Sequence, residues 1–206
     1  MADSASHTPR LFMRRLCPYC RRLMVYLDER ELAIEIINFD PDQHGEQLDA
    51  LNPRGTVPTY DTGHGLAFGE SFIILQYLEE TASDQRLLPT SPADRARMRL
   101  LYDLSDAQIG APMRQFARAP LDDPARERHA ALIGKLAHEA LALLDERGRF
   151  ALGGELSIAD LSLPPLLYRV LEAGFEPERL PPRVRDWCAA LLERPATRAQ
   201  FPKVEL

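Results

Sequence analysis

The stretch RRLCPYCRR, residues 14–22, decides how the chain begins to fold. It holds two cysteines, Cys17 and Cys20, around a Pro-Tyr pair, together with four arginines and no acidic residue. The apolar run that leads into it, LFMR at 11–14, predicts a strand. Pro18 suits the first position of a helix, because its missing N–H costs no hydrogen bond there. We therefore expect the two cysteines at a strand-to-helix turn.

A cysteine at such a turn is expected to be activated. If Cys17 caps the helix, its sulfur faces free backbone N–H groups and the positive end of the helix dipole, and both favour the thiolate. The flanking arginines act in the same direction. Cys20 lies one turn further along, within reach of a disulfide. Cys17 is thus the expected nucleophile of a disulfide exchange, and Cys20 is a possible resolving thiol.

Two other interpretations of the cysteine pair stay open on the residues alone. A zinc site needs about four ligands, and the sequence has no second CxxC; His44 and His64 could contribute, but nothing in the sequence fixes them near the pair. Free cysteines are also often buried and inert. A strand before the pair and a helix after it favour a thiol site over both, since CxxC in an α/β context is typical of thiol chemistry.

Composition restricts the class of protein. The chain has 206 residues, 45% of them hydrophobic, and a formal net charge of −6, which argues against a general nucleic-acid binder. No apolar run is long enough to span a membrane. Residues 1–10 lack the apolar core of a signal peptide, so we expect a short disordered lead and a cytoplasmic protein. Three cysteines in a reducing compartment do not form a disulfide framework.

The first eighty residues alternate between strand and helix patterns. The expected order is β-α-β-α-β-β-α, a small α/β unit with a mixed sheet. The strands are expected at 11–14, 32–39, just after Pro58 and at 66–68, and the helices from Pro18 to near Arg30, at 46–51 and at 70–80, with loops at 40–45 and at the turn 63–65.

Everything after the first eighty residues has helical periodicity. A polar, proline-bearing stretch separates the two patterns. We therefore expect an α/β domain over 10–81, a linker over 82–92 and an all-helical domain over 93–206. The expected helices of the second domain are 93–117, 124–147, 157–172 and 181–193.

One helix start in the second domain is marked sharply. Ser157 and Asp160 form a serine-x-x-acid capping box before a leucine-rich run, which predicts a buried structural helix over 157–172. Pro164 and Pro165 lie inside that helix. They are expected to bend it or to loosen one turn, because neither has a backbone donor.

Four stretches together resemble a known superfamily. CPYC at 17–20 resembles glutaredoxins, while NPRGTVPTY at 52–60 and FGESFIILQYLEE at 68–80 resemble the first domain of cytosolic glutathione transferases. LSIADLSLPPLLYR at 156–169 is similar to the capped central helix of their second domain. The cysteine at the first motif is that of omega-like and beta-like members and of two-domain glutaredoxins. The resemblance implies a thioredoxin-like domain followed by an all-α domain.

The resemblance also implies site residues, with glutathione as co-substrate. Cys17 matches the catalytic cysteine that contacts glutathione or forms a mixed disulfide with it, and Pro18 and Tyr19 belong to the same site. Val57 is expected to offer its backbone N–H and C=O to the cysteinyl part, and Pro58 to follow a cis peptide bond.

For the γ-glutamyl end, the resemblance implies Glu70 for the ammonium and Ser71 for the carboxylate. The first turn of a helix at 70–80 suits an anion. Without the resemblance, the Glu-Ser pair is a plain helix cap.

The chain departs from the omega pattern at the glycyl end of glutathione. Omega-like members carry a lysine in the loop before the Asn-Pro pair, and here only His44, or an arginine such as Arg14 or Arg15, is a candidate. In the second domain, large side chains at helical spacing either line a cleft for the second substrate or belong to the core. They are Tyr102, Met113, Phe116 and Tyr168.

The expected function is a glutathione-dependent thiol transferase that performs disulfide exchange or deglutathionylation, with conjugation as a weaker variant. Its expected partners are glutathione, a hydrophobic or disulfide co-substrate and a second copy of the chain, by analogy with the dimers of this fold. No metal, nucleic acid or membrane is expected. An alternative is a resemblance to stringent starvation protein A, a regulator associated with RNA polymerase that lacks the cysteine motif. Its Pro-His-Pro element is replaced here by TASDQR at 81–86.

Overall fold

The computed structural model describes residues 8–206, so most of the expected lead at 1–10 lies outside the described residues. The chain divides into two compact units, Met1–Ala82 and Ser83–Leu206. No helix within the described range is long and apolar enough to cross a membrane. Over the same residues, no group of three or more His, Cys, Asp or Glu side chains is arranged to hold a metal ion.

The first unit is built on a four-stranded mixed sheet in the order β2-β1-β3-β4. Strand β1 pairs in parallel with β2 and antiparallel with β3, and β3 pairs antiparallel with β4. The elements of this unit follow the expected order. They are β1 (Arg10–Met13), α1 (Pro18–Glu29), β2 (Glu35–Asn38), α2 (Pro41–Leu51), β3 (Thr59–Asp61), β4 (Ala67–Gly69) and α3 (Ser71–Thr81).

The loop expected at 40–45 is wrong, because α2 already begins at Pro41. Asp40 caps this helix, and its Oδ1 accepts the backbone N–H of Asp42 at 3.0 Å. Pro41 stands at the first helical position, where proline is favoured. Aspartate and proline are both frequent in loops, but an aspartate directly before a proline is also a helix start, as it is here. Strand β2 is also shorter than the expected 32–39.

Helices α1 and α3 are joined by a buried polar contact. The Tyr26 hydroxyl donates to Oε2 of Glu79 at 2.7 Å, and Arg30 Nε lies 3.4 Å from the same oxygen. Glu79 is fully buried. A buried carboxylate needs such partners, so this contact holds the two helices that carry the candidate site in one register.

The second unit is helical throughout. Its α-helices are α4 (Pro92–Tyr102), α5 (Gly110–Arg118), α6 (Pro124–Glu139), α7 (Pro164–Leu171), α8 (Pro182–Leu192) and α9 (Pro195–Gln200). A π-helical segment, Asp103–Ile109, joins α4 to α5, and short 3₁₀ segments occur at Ala140–Leu143, Ile158–Leu161 and Pro177–Arg179. Helix α9 was not expected from the sequence, and α6 ends earlier than 147.

The single helix expected over 157–172 is wrong. A short 3₁₀ segment follows Ser157, and a separate helix, α7, begins at Pro164. The two prolines neither bend nor loosen a continuous helix, because they occupy the first turn of a new one. Proline is tolerated there, since the first N–H groups of a helix have no partner within it.

The carboxylate of Asp160 organises the start of this region. It accepts the backbone N–H groups of Ser157 at 2.8 Å and of Ala151 at 2.7 Å. The Ser157 hydroxyl donates to it at 3.3 Å and the indole N–H of Trp187 at 2.7 Å. Burial raises the pKa of Asp160 from its ordinary value of 3.8 to about 6, against the lowering effect of these donors.

Asp160→Asn tests this buried carboxyl. A raised pKa means that the folded state keeps a proton that the unfolded state has released, so the free energy of unfolding falls as pH rises from about 4 to about 6. The substitution is expected to abolish this fall. It should also cost about 1–3 kcal/mol at neutral pH, because the new amide N–H₂ group opposes a backbone donor.

Urea denaturation followed by the fluorescence of Trp187, the one tryptophan in the sequence, measures both effects. The exposed Asp122→Asn is the matched control. An Asp160→Asn protein that keeps the pH dependence of the wild type would contradict this account.

Candidate active site

Cys17 stands at the N-terminus of α1 with its backbone in the extended region (φ −78°, ψ 118°). Its own N–H donates to the carbonyl of Arg14 at 3.1 Å, and its carbonyl accepts the N–H of Arg21 at 2.9 Å. Pro18 follows at the first helical position. The backbone thus turns sharply out of β1 into the helix and presents the partly exposed sulfur of Cys17 at the helix start.

The thiol of Cys20 is the main cause of a lowered pKa at Cys17. It hydrogen-bonds the Cys17 sulfur, and this bond is the largest of the effects that together lower the pKa of Cys17 from 9.0 to about 7. Burial opposes the shift. The backbone N–H groups of Cys20 and Tyr19 and the positive charge of Arg22 support it. At neutral pH a large fraction of Cys17 is therefore thiolate, the nucleophilic form.

Cys20 itself is a poor nucleophile. Its side chain is fully buried, and burial together with the bond to Cys17 raises the pKa of its thiol far above the ordinary value. The backbone N–H of Arg14 lies 3.4 Å from its sulfur. Cys20 therefore keeps its proton at neutral pH and serves as a donor to Cys17. The structure has no disulfide between the two.

The four arginines of the motif have different environments. Arg14 and Arg15 are exposed, whereas Arg21 and Arg22 are buried. Arg22 is fully buried; its Nη1 lies 3.4 Å from the Ser71 hydroxyl, and its guanidinium lies 5.2 Å from the ring centre of Tyr19. Arg22 thus links the cysteine turn to the start of α3.

The peptide bond between Val57 and Pro58 is cis. The loop that leads to it is held by Asn52, whose Nδ2 donates to the Thr59 hydroxyl at 2.8 Å. The Thr59 hydroxyl in turn donates to the carbonyl of Thr56 at 2.7 Å. These contacts define the backbone around Val57, the residue expected to offer main-chain hydrogen bonds to a peptide ligand.

Glu70 and Ser71 lie where β4 ends and α3 begins. Glu70 has φ +66°, the left-handed region that a residue with a side chain seldom adopts. Ser71 is the first residue of α3, and its side chain is buried. The carboxylate of Glu70 pairs with Arg54 across 2.5 Å. Strained backbone of this kind is typical of functional sites.

Two of the three candidates for the glycyl end lie together. The guanidinium of Arg14 stacks 5.1 Å from the ring centre of Phe39, and the imidazole of His44 lies 6.3 Å from the same ring. Nδ1 of His44 accepts the backbone N–H of Asp40 at 3.1 Å, so the neutral ring carries its proton on Nε2. Arg14 and the Nε2–H of His44 are thus both donors beside Phe39.

The large side chains of the second unit belong to its core. Tyr102, Met113, Phe116 and Tyr168 are all buried. The Tyr102 hydroxyl donates to the carbonyl of Ile158 at 2.8 Å, and that of Tyr168 to the carbonyl of Cys188 at 2.7 Å. Burial favours the interpretation of these four as core residues, and Phe116 also lines a cavity of about 230 Å³ together with Arg126 and Phe175.

Three residues make contacts in this region that no local sequence pattern predicts: Asn52, Arg54 and Arg22. Each acts across a long sequence separation, from Asn52 to Thr59, Arg54 to Glu70 and Arg22 to Ser71. All the residues of the candidate site described above lie in the first unit.

Comparison with known protein families identifies the family of this chain. The model for the "Glutathione S-transferase, N-terminal domain" matches residues 11–86, and that for the "Glutathione S-transferase, C-terminal domain" matches residues 123–190. The chain belongs to the glutathione S-transferase family. Its two units have the fold of that family, a thioredoxin-like domain with a small mixed sheet and an all-helical domain.

Individual relatives of this transferase-family chain fall into more than one group. It is 27% identical over 198 residues to glutathione S-transferase omega-1 of Rattus norvegicus, across 93% of this chain and 80% of that protein. It is 33% identical over 168 residues to a stringent starvation protein A homolog of Pasteurella multocida, across 81% and 76% of the two chains.

Among solved structures, glutathione transferase Omega 3C of Trametes versicolor superimposes with a TM-score of 0.79 at 25% identity, over 98% of this chain and 92% of that one. Both the omega-class and the stringent-starvation resemblances noted in the sequence are thus confirmed as relationships.

Cys20→Ala tests the origin of the low pKa at Cys17. The thiolate absorbance of the wild type is expected to titrate with a pKa of about 7. Loss of the Cys20 donor should move this pKa up, toward the ordinary thiol value of about 8.5. Cys20→Ser, which keeps a hydroxyl donor, should move it less.

Burial raises the pKa of Cys188, so this cysteine does not titrate with Cys17, and Cys188→Ala is the matched control. An unchanged titration in Cys20→Ala would show that the neighbouring thiol does not activate Cys17.

Proposed function

We propose that this transferase-family chain is a glutathione-dependent thiol transferase with Cys17 as its nucleophile. The observation that carries the proposal is the Cys17 sulfur at the start of α1, with its pKa lowered to about 7 by a buried thiol donor. A thiolate at that position reacts with disulfide sulfur. The names of the omega-class relatives support glutathione as the co-substrate.

The reaction proceeds in two exchanges. The Cys17 thiolate attacks the glutathionyl sulfur of a mixed disulfide, a new Cys17–S–S–glutathione bond forms, the old S–S bond breaks, and the second thiol leaves as thiolate and takes a proton from water. A glutathione thiolate then attacks the glutathionyl sulfur, forms glutathione disulfide and returns Cys17 as thiolate. One glutathione is oxidised for each mixed disulfide reduced.

Glutathione is the proposed resolving thiol, in preference to Cys20. Attack by Cys20 requires its thiolate, and burial raises the pKa of this thiol strongly. The same buried thiol stabilises the Cys17 thiolate, both before the first exchange and when it leaves in the second. Cys20 is thus proposed as a residue that tunes Cys17 rather than as a second reactant.

Glutathione is proposed to lie along the first unit. Val57 offers its main chain to the cysteinyl part next to the cis Pro58, while Pro18 and Tyr19 lie beside the sulfur. Glu70 takes the γ-glutamyl ammonium. Ser71, whose hydroxyl already accepts from Arg22, can donate its own proton to the γ-glutamyl carboxylate.

The glycyl carboxylate is proposed to bind Arg14 together with Nε2–H of His44. Both side chains surround Phe39, where the family pattern has a lysine in the loop before the Asn-Pro pair. An arginine is well matched to a carboxylate, because its planar guanidinium offers paired donors.

A disulfide or apolar co-substrate suits the surroundings of Cys17. The residue immediately before it in the sequence, Leu16, has a side chain that is 74% exposed and could provide an apolar contact. Conjugation of glutathione to an electrophile is the weaker variant, because a cysteine forms disulfides with glutathione where a hydroxyl would polarise its thiol. The three free cysteines are consistent with a reducing cytoplasm.

The active form is proposed to be a homodimer. In the first unit Leu66 and Ile73 are each about half exposed and lie beside Phe68 and Tyr77, an apolar patch that a second copy would cover.

Sedimentation equilibrium should give the mass of two chains, and Ile73→Glu should shift the measured mass toward that of one chain. A wild type that stays monomeric would contradict this assembly.

A second candidate function is a polymerase-associated regulator of the stringent starvation type. The 33% identity to a stringent starvation protein A homolog favours it. The replacement of the Pro-His-Pro element by TASDQR at 81–86 and the activated Cys17 weigh against it. Retention on a glutathione column without capture of RNA polymerase would exclude the regulator.

Cys17→Ser is the decisive variant for the proposed function. Turnover of a glutathione mixed disulfide of a small thiol is expected to fall to the rate of the buffer, because a serine hydroxyl is not a nucleophile toward disulfide sulfur at neutral pH. Cys20→Ser should keep most of its turnover, with its pH profile moved upward. Cys188→Ser is the control and should match the wild type. Full turnover in Cys17→Ser would refute the assignment of Cys17 as the nucleophile. Loss of turnover in Cys20→Ser would instead indicate a two-thiol mechanism.

A further inference from the structure

Arg54 and Glu70 form an exposed ion pair at the proposed γ-glutamyl site. Nη1 of Arg54 lies 2.5 Å from Oε1 of Glu70, although the two residues are sixteen positions apart. Their side chains are 73% and 61% exposed. The carboxylate proposed to take a ligand ammonium therefore already has a cationic partner within this chain.

The backbone at both ends of this pair is held in place. The N–H of Arg54 donates to Oδ1 of Asn52 at 3.2 Å, and Asn52 is itself buried. Glu70 is fixed in the left-handed region, and its carbonyl accepts the N–H of Ile74 in the first turn of α3 at 3.0 Å. Two opposite charges thus project from rigid backbone next to a helix N-terminus.

We propose that Arg54 and Glu70 together form a receptor for the α-amino-acid zwitterion of γ-glutamyl ligands. Glu70 takes the ammonium, and Arg54 moves from Glu70 to the carboxylate, which Ser71 also binds. This inference rests on the proposed glutathione function and adds Arg54 to it as a specificity-determining residue.

The exchange of partners is favourable for a ligand that carries both charges. An ion pair this exposed is only weakly stabilising, so it opens at little cost. A zwitterion brings an ammonium for Glu70 and a carboxylate for Arg54 on one carbon atom, so neither side chain is left without a counter-charge. A ligand with only the ammonium would bind Glu70 and leave Arg54 without a counter-charge. A ligand with only the carboxylate would bind Arg54 and leave Glu70 without one.

The alternative is that Arg54 only competes with the ligand for Glu70. Removal of Arg54 would then strengthen binding, whereas removal of a carboxylate-binding arginine weakens it. The two cases differ in sign, and they also differ in which part of the ligand matters. The site is therefore testable with ligands that lack one charge at a time.

Isothermal titration of Arg54→Gln with S-methylglutathione is the test, since the blocked thiol cannot exchange with Cys17. Binding is expected to weaken about tenfold relative to the wild type, because a charge-assisted hydrogen bond to the carboxylate is lost. Arg54→Lys should lose less. Arg54→Gln should lose no affinity for the analogue without the γ-glutamyl α-carboxylate, because that analogue offers Arg54 no partner.

Glu70→Gln is the mirror variant. It should weaken S-methylglutathione and the decarboxylated analogue alike, but not the analogue without the ammonium. Arg86→Gln, which removes another exposed arginine lying 3.9 Å from a carboxylate, is the matched control and should bind like the wild type.

Equal or tighter binding of S-methylglutathione by Arg54→Gln would overturn the proposal while leaving the glutathione function intact. The proposal would also be overturned if Arg54→Gln lost as much affinity for the decarboxylated analogue as for S-methylglutathione. A wild type that binds no S-methylglutathione would instead overturn the proposed function together with this receptor.

Discussion

The buried thiol of Cys20 is the constraint on which the reactivity of Cys17 depends, because its hydrogen bond is the largest cause of the lowered pKa of Cys17. This bond requires both sulfurs to lie on one side of the first turn of α1, which follows from a helix that starts at Pro18. Burial of Cys20 makes it a donor that keeps its proton. The same burial that makes Cys20 unreactive therefore makes Cys17 reactive, and the two cysteines of the motif are not equivalent.

Buried polar contacts join α1, which begins beside this sulfur, to α3, which begins at Ser71. Arg22 extends from α1 to the hydroxyl of Ser71, and Tyr26 reaches Glu79 in α3. Buried charged and polar groups are costly unless they are paired, so these contacts leave little freedom in how α1 and α3 pack. The start of α3 is thereby held in register with the start of α1, and the N-terminus of each helix favours an anionic group.

The order of elements and the cysteine turn could be predicted because their signals are local. A strand followed by Cys-Pro-Tyr-Cys, and a Glu-Ser pair before an apolar run, are short patterns with a direct physical meaning. The start of α2 at Pro41 and of α7 at Pro164 were missed because proline both interrupts and begins helices, so its presence alone does not decide between the two. The pair of Arg54 and Glu70 was missed because nothing in the sequence joins positions so far apart.

The central claim, that Cys17 is the attacking sulfur, is tested most directly by a single turnover. The protein is mixed with a small excess of a glutathione mixed disulfide in the absence of free glutathione, and intact and peptide masses are measured. The account predicts one glutathionyl adduct per chain, located on Cys17 and absent from Cys17→Ser. An adduct on Cys20, or no adduct in the wild type, would contradict it.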